Sequence, residues 1–197
     1  TVRLVFASPL SANPDILLDP ASSQDRKAAL VGETVTVNQN LVFINQVRRK
    51  PRRYALSLVY EGKEREVGQI ELPLAPDGVG QKVPHIAAAI GGDSTGNLVF
   101  ANGPAEAEKF ARTIFDALGE DLAIESDAVQ ELVDFSKGVV HERFQLAEFA
   151  RRGVAFHYGD MPLVLKAKVE ELFKRGEIRY LVCTSTLLEG VNLPCRN

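Results

Sequence analysis

Ile178-Arg179-Tyr180-Leu181-Val182-Cys183-Thr184-Ser185-Thr186-Leu187-Leu188-Glu189-Gly190-Val191-Asn192-Leu193-Pro194 is the stretch on which the fold and the function turn. Its first part, Ile178 to Cys183, is an apolar run that reads as a buried strand. At Thr184 the composition switches to hydroxyls, a glycine and a polar Asn, which reads as a loop. Hydroxyls and exposed backbone amides hold phosphate oxygens well, and Gly190 permits close backbone approach. The same composition also fits a plain strand-to-helix loop with capping Ser and Thr.

Upstream, helix and strand alternate. Leu163 to Lys174 is strongly amphipathic and is followed by Gly176, so a helix is predicted there. Glu170, Glu171 and Lys174 read as its solvated face. Val154 to His157 reads as a strand, Phe144 to Ala150 as a helix ended by Gly153, and Ala128 to Phe135 as another helix. Pro104 to Leu118 carries Ala107, Phe110, Ala111, Ile114 and Leu118 at helical spacing, with Pro104 at its start and Gly119 at its end. Leu98 to Ala101 reads as a strand, and Pro84 to Ile90 as a helix closed by Gly91-Gly92. Strands alternating with helices over short connections imply an α/β fold with a parallel sheet covered by helices. Ligands in such sheets bind at the carboxyl ends of strands. That directs attention to the loops at Asn102-Gly103, His157 to Pro162 and Thr184 to Pro194.

Before residue 81 the pattern differs. Thr34 to Val37, Leu41 to Ile44, Tyr54 to Tyr60 and Glu66 to Leu72 suit strands, and Glu61-Gly62-Lys63 suits a hairpin turn. A loop rich in Pro and Gly runs from Pro73 to Gly80. Val2 to Ala7 reads as one more buried strand, and residues 20 to 32 as a linker. Arg48-Arg49-Lys50-Pro51-Arg52-Arg53 is a dense basic run. It reads either as a phosphate grip with salt-dependent affinity or as a solvated turn.

The 197 residues suffice for one domain and part of another; 45% are apolar and 25% charged, as in globular proteins. A net charge of -3 supplies no global attraction to nucleic acid, so any such binding must come from a local patch or backbone amides. Two cysteines with no CxxC pair or Cys/His cluster suggest no metal site. No apolar run is long enough to span a bilayer, no membrane association is expected, and the N-terminus does not read as a signal peptide. A cytoplasmic location is the default. Both ends read as cuts from a larger protein.

The run from Gly153 to Asn197 resembles the end of the second RecA-like lobe of superfamily 2 helicases. The matching segments are Phe156-His157-Tyr158-Gly159-Asp160-Met161-Pro162, Val169 to Ile178, and Leu181 to Pro194. The last of these is similar to helicase motif V, in a form close to the Ski2-like DExH branch. Asn97 to Gly103 with Ala105 to Ala111 resembles motif IV and its helix. Phe6-Ala7-Ser8-Pro9-Leu10 with Asn13-Pro14 sits where motif III would close the first lobe, although the usual form there is Ser-Ala-Thr. Glu189 stands where DEAD-box relatives often carry arginine, a departure common in the Ski2-like branch.

The resemblance implies a domain plan. Residues 1–22 would end a first RecA-like lobe, 23–80 form an inter-lobe linker with a β-hairpin, and 81–197 form a second lobe cut before motif VI. It also implies roles. Thr184, Asn102 and Gly103 would contact nucleic-acid phosphates, with His157 and Gly159 on the same side. Gly190 and Asn192 would face ATP, and Ser8 would couple the lobes. The partners implied are single-stranded or partly duplex nucleic acid, RNA or DNA, and the first lobe of the same chain. ATP and Mg2+ would serve the full-length parent. The sequence holds no G-x-x-x-x-G-K-[ST] loop, no Asp-Glu pair after a strand and no Gln-x-x-Gly-Arg-x-Gly-Arg motif. No catalytic residue is therefore expected here, and the segment alone is not expected to hydrolyse ATP. The rival reading is a passive nucleic-acid or protein binding module from a motor-dead relative. An unrelated doubly wound enzyme lacks support from any dinucleotide loop or catalytic triad spacing.

Overall fold

The computed structural model describes residues 42–60, 63–92, 94–119 and 124–188. The expected strands at Val2 to Ala7 and Thr34 to Val37 lie outside the described residues, as do Ser8, Gly190 and Asn192. By compactness the chain divides into two units, Thr1–Asn45 with Ala55–Gly68, and Gln46–Tyr54 with Gln69–Asn197.

Three strands, β1 (Val42–Gln46), β2 (Arg53–Tyr60) and β3 (Lys63–Glu71), form one sheet in the order β1-β2-β3. The expected hairpin is present as β2 and β3, with Lys63 already inside β3. β3 is exposed at most positions, as its run of charged residues requires.

The second sheet has the order β4-β6-β5, from β4 (Asn97–Phe100), β5 (Val154–His157) and β6 (Tyr180–Cys183), all parallel. Every residue of β5 and β6 is buried. This is why both strands read as continuous apolar runs rather than alternating ones. The register aligns Asn97 and Val154 with Tyr180. It is pinned at the amino ends, where the Gly153 carbonyl accepts from Arg179 N (2.7 Å) and Tyr180 N (3.0 Å), and Asn97 N donates to the Arg179 carbonyl (2.9 Å). Gly153 itself is left-handed (φ 72°), and an added Cβ would meet the Glu177 carbonyl at 3.2 Å, so glycine is demanded there.

The helices are α1 (Val79–Gly91), α2 (Pro104–Ala117), α3 (Asp127–Val139), α4 (Gln145–Ala150), α5 (Leu163–Lys174) and the short α6 (Ser185–Leu188). In α5, Leu165, Val169, Leu172 and Phe173 are buried. Their spacing makes one stripe that faces the core. α2, α4 and α5 pack on β5, and α1 packs on β4 and α2. Phe149 and Phe156 are fully buried and meet edge to face at 6.1 Å between ring centres. Burial of each such side chain contributes roughly 1.5–3 kcal/mol.

Two helices depart from the sequence reading. α1 begins five residues before Pro84, within the expected loop, so Pro84 is interior rather than first. Proline cannot donate to the carbonyl four residues back, and the longer helix is instead tied at its start by Gln81, whose Oε1 accepts from Asp77 N at 3.3 Å. α3 runs four residues past Phe135 through Gly138. Within it the Ser136 hydroxyl donates to the Leu132 carbonyl at 2.6 Å, which lets a buried hydroxyl remain in the helix. The loop expected at Thr184 is cut short, because α6 starts at Ser185.

Candidate nucleic-acid interface

Phe100, Cys183 and His157 share one row of the parallel register. The ladders continue one residue further: Ala101 N donates to the Cys183 carbonyl (2.8 Å) and Thr184 N to the His157 carbonyl (3.2 Å). Since β6 lies between β4 and β5, Thr184 emerges between the Asn102 loop and the Tyr158-Gly159 loop. The structure thus brings Asn102, Gly103, Thr184, His157 and Gly159 to one carboxyl edge of one sheet, the place where open α/β sheets bind ligands.

These residues differ in what they present. Asn102 is exposed, and both its backbone N (2.7 Å) and its Nδ2 (2.8 Å) donate to one Glu106 carboxylate oxygen. Gly103 precedes Pro104 at the start of α2 and its carbonyl accepts from Ala107 N at 2.9 Å. A Cβ added to Gly103 would point into open space. An anion therefore already sits at this helix start, in the form of Glu106, where the field of the helix favours negative charge. A phosphate arriving at Asn102 would have to displace that carboxylate.

Thr184 is only 8% exposed, and its carbonyl accepts from Leu187 N at 3.2 Å in the first turn of α6. Gly159 is exposed, and its carbonyl accepts from Lys166 Nζ at 2.9 Å. Lys166 belongs to the first turn of α5, so this cation stands at the same edge.

The His157 ring is buried, at 4% exposure. Its Nε2 lies 3.0 Å from Glu170 Oε1, and its Nδ1 has no partner. Burial is the largest influence on the imidazole and pushes its pKa below the ordinary value. Glu170 opposes that shift and nearby Lys166 adds to it. What His157 offers at the edge is its carbonyl, already bonded to Thr184. Next to it, the Tyr158 hydroxyl donates to Glu108 at 2.7 Å, and the ring stacks on Phe156 at 5.7 Å and 3°. Burial, then Glu108, raises the phenol far above its usual pKa, so Tyr158 stays a donor at neutral pH.

Glu106, Glu108, Lys166 and Glu170 are the residues of this edge that the sequence reading missed. Glu170 was expected on a solvated helix face, but its side chain is only 20% exposed and serves His157. One signal was available for Glu106: a carboxylate three residues after Gly103, at the start of a helix, is the usual capping position. No comparable local signal exists for Glu108, Lys166 or Glu170, because their partners come from other elements. Among the described residues no group of three or more His, Cys, Asp or Glu stands together. No helix there is long and apolar enough to cross a membrane.

No family model matches the chain. Among curated proteins, it is 33% identical over 132 residues to an ATP-dependent DNA helicase Hel308 of Pyrobaculum calidifontis, covering 66% of this chain and 17% of that protein. The Hel308 of Pyrococcus horikoshii matches at 33% over 103 residues, 51% of this chain and 14% of the relative. Anti-bacteriophage protein B of Escherichia coli matches at 40% over 47 residues, 24% of this chain and 6% of the relative. The chain thus spans less than a fifth of the length of these relatives. Similarity of this extent to several Hel308 proteins, together with the motif order along the chain, makes it a homologue of one segment of the superfamily 2 helicases, in their Ski2-like branch.

Proposed function

We propose that this chain works within an ATP-dependent helicase or translocase, where it grips the backbone of single-stranded nucleic acid and lines one side of the ATP cleft. The observation that carries the reading is the convergence of the Asn102, Thr184 and Gly159 loops at one carboxyl edge. Backbone amides and hydroxyls there read phosphate rather than base, so the grip is blind to sequence. Asn102 and Gly103 bind a phosphate once Glu106 swings away, Thr184 supports the adjoining phosphate, and Lys166 adds positive charge. His157, held by Glu170, positions Thr184 through its carbonyl.

Gly190 and Asn192 face the nucleotide in this reading, and Ser8 couples the two lobes; these three roles rest on the resemblance alone. ATP supplies the energy of the cycle when bound, and Mg2+ accompanies it. No described residue is assigned to Mg2+, which belongs with the Walker loop and Asp-Glu pair that this sequence does not contain. By itself this segment does not hydrolyse ATP. Relatives that are called DNA helicases support DNA as the track.

The test is ATP hydrolysis by the full-length protein with and without single-stranded DNA and RNA, comparing wild type with Thr184→Ala and Asn192→Ala. DNA is expected to stimulate the wild type. Thr184→Ala should lose about tenfold or more of that stimulation, the scale of one charge-assisted contact. A folded protein that hydrolyses no ATP under any condition would leave the passive binding module as the better account.

A further inference from the structure

The basic run from Arg48 to Arg53 is not used by the site above, and the structure divides it in two. Arg52 and Arg53 are both engaged by Glu71, at 2.7 and 2.9 Å, one on each carboxylate oxygen. Arg48, Arg49 and Lys50 are exposed and have no ion-pair partner among the described residues. They sit on the connection between β1 and β2, which is built from two successive turns. Lys50 N donates to the Val47 carbonyl (3.0 Å) and Arg53 N to the Lys50 carbonyl (3.1 Å). Pro51 takes the second position of the later turn, where its fixed φ is favourable. Val47 N to the Arg53 carbonyl (2.8 Å) and Gln46 Nε2 to the Pro51 carbonyl (3.0 Å) close the connection.

This is a pre-shaped turn rather than a loose charge run. Arg49 is the one described non-glycine residue with a positive φ, 61°. Glycine or asparagine would fill that position at less conformational cost. Gln46 to Pro51 line an open hollow of about 260 Å³. Three unpaired cations around such a hollow, on a chain whose net charge is -3, concentrate positive potential at one point.

We propose that the Arg48-Arg49-Lys50 turn is a second phosphate-backbone contact for single-stranded nucleic acid, separate from the sheet-edge loops. Glu71 withdraws Arg52 and Arg53 from that role, so three of the five basic side chains in the run make the contact. The inference rests on the nucleic-acid reading above, and the experiment separates the two.

Binding of a fluorescent single-stranded DNA to the full-length protein is measured by anisotropy across a salt titration. The variants are Arg48→Gln/Arg49→Gln/Lys50→Gln, Arg49→Gly, Arg52→Gln/Arg53→Gln and Thr184→Ala. Each phosphate contact to a single strand contributes about 0.7 to the slope of log affinity against log salt. The triple variant is therefore expected to lose about 2 in slope and about 100-fold in affinity at 0.1 M salt. Arg49→Gly removes one charge while easing the backbone, and should lose about 0.7 in slope. Arg52→Gln/Arg53→Gln should lose less than the triple variant. Wild-type binding that Thr184→Ala weakens and the triple variant leaves unchanged would overturn this inference and spare the motor reading. No wild-type binding to DNA or RNA would overturn both. A triple variant that keeps its DNA slope and loses only binding to anionic lipid vesicles would assign the turn to a membrane surface instead.

Discussion

In the sheet β4-β6-β5 every residue of β5 and β6 is buried, whereas in β1-β2-β3 the apolar side chains of Val42, Phe43 and Val67 remain 38%, 45% and 55% exposed. Both sheets have three strands and both were legible as strands. Helices pack on both outer strands of the first, while β3 of the second carries a run of charged residues and is exposed at most positions. The two sheets accordingly offer different kinds of site. The parallel sheet fixes the carbonyl and amide row at its carboxyl edge, because any shift would disturb a close-packed core. The other sheet presents charge on a turn, where position is held only by local hydrogen bonds.

The largest expected effect tests that contrast directly. Phe156→Ala should destabilise the protein by about 3–5 kcal/mol in urea unfolding, the range for emptying a buried aromatic site. Val67→Ala should stay within about 0.5 kcal/mol, as a surface change does. Equal costs for the two variants would break the comparison.

Next comes the pH dependence of the buried sheet edge. His157 is pushed below its ordinary pKa chiefly by burial, so the folded state favours the neutral ring and the unfolded chain binds more protons. The stability from this group is complete above about pH 6.5, the ordinary histidine value, and falls as pH drops through the folded pKa. The steepest slope is about 1.4 kcal/mol per pH unit for one proton. Glu170 and Lys166 face the ring from α5 and modulate it. Unfolding midpoints at pH 7.5 and 5.5 should converge in His157→Gln; an unchanged difference would place the titrating group elsewhere.

The smallest effect sharpens the contrast at α2. Glu106→Gln removes the carboxylate that holds Asn102 N and Nδ2. The cost should be about 0.5 kcal/mol, the usual worth of an acidic side chain at a helix start. Affinity for single-stranded DNA should rise by a few fold, because the competing anion is gone. Weaker binding would show that Glu106 supports the site rather than occupying it.

Much of the architecture was readable in advance. α5 spans Leu163 to Lys174 and β5 spans Val154 to His157, as periodicity and glycine punctuation predicted. Pro104 at the start of α2 was equally plain. The errors fell where a local signal pointed the wrong way. Pro84 read as a helix start, but α1 begins five residues further upstream. Ser185 and Thr186 read as loop residues, but α6 forms at once after β6.

The sequence by itself determined the alternation of strand and helix, the motif order and the identity of the loops that follow the strands, since these depend on spacing along the chain. Only the tertiary structure decided that the three loops are neighbours, with Thr184 between Asn102 and Gly159. It alone paired Glu170 with His157, Glu108 with Tyr158 and Lys166 with Gly159, and it alone divided the basic run between bound and free cations. The physical reason is that side-chain partnership depends on which strand lies beside which, and strand order is a property of packing rather than of local pattern.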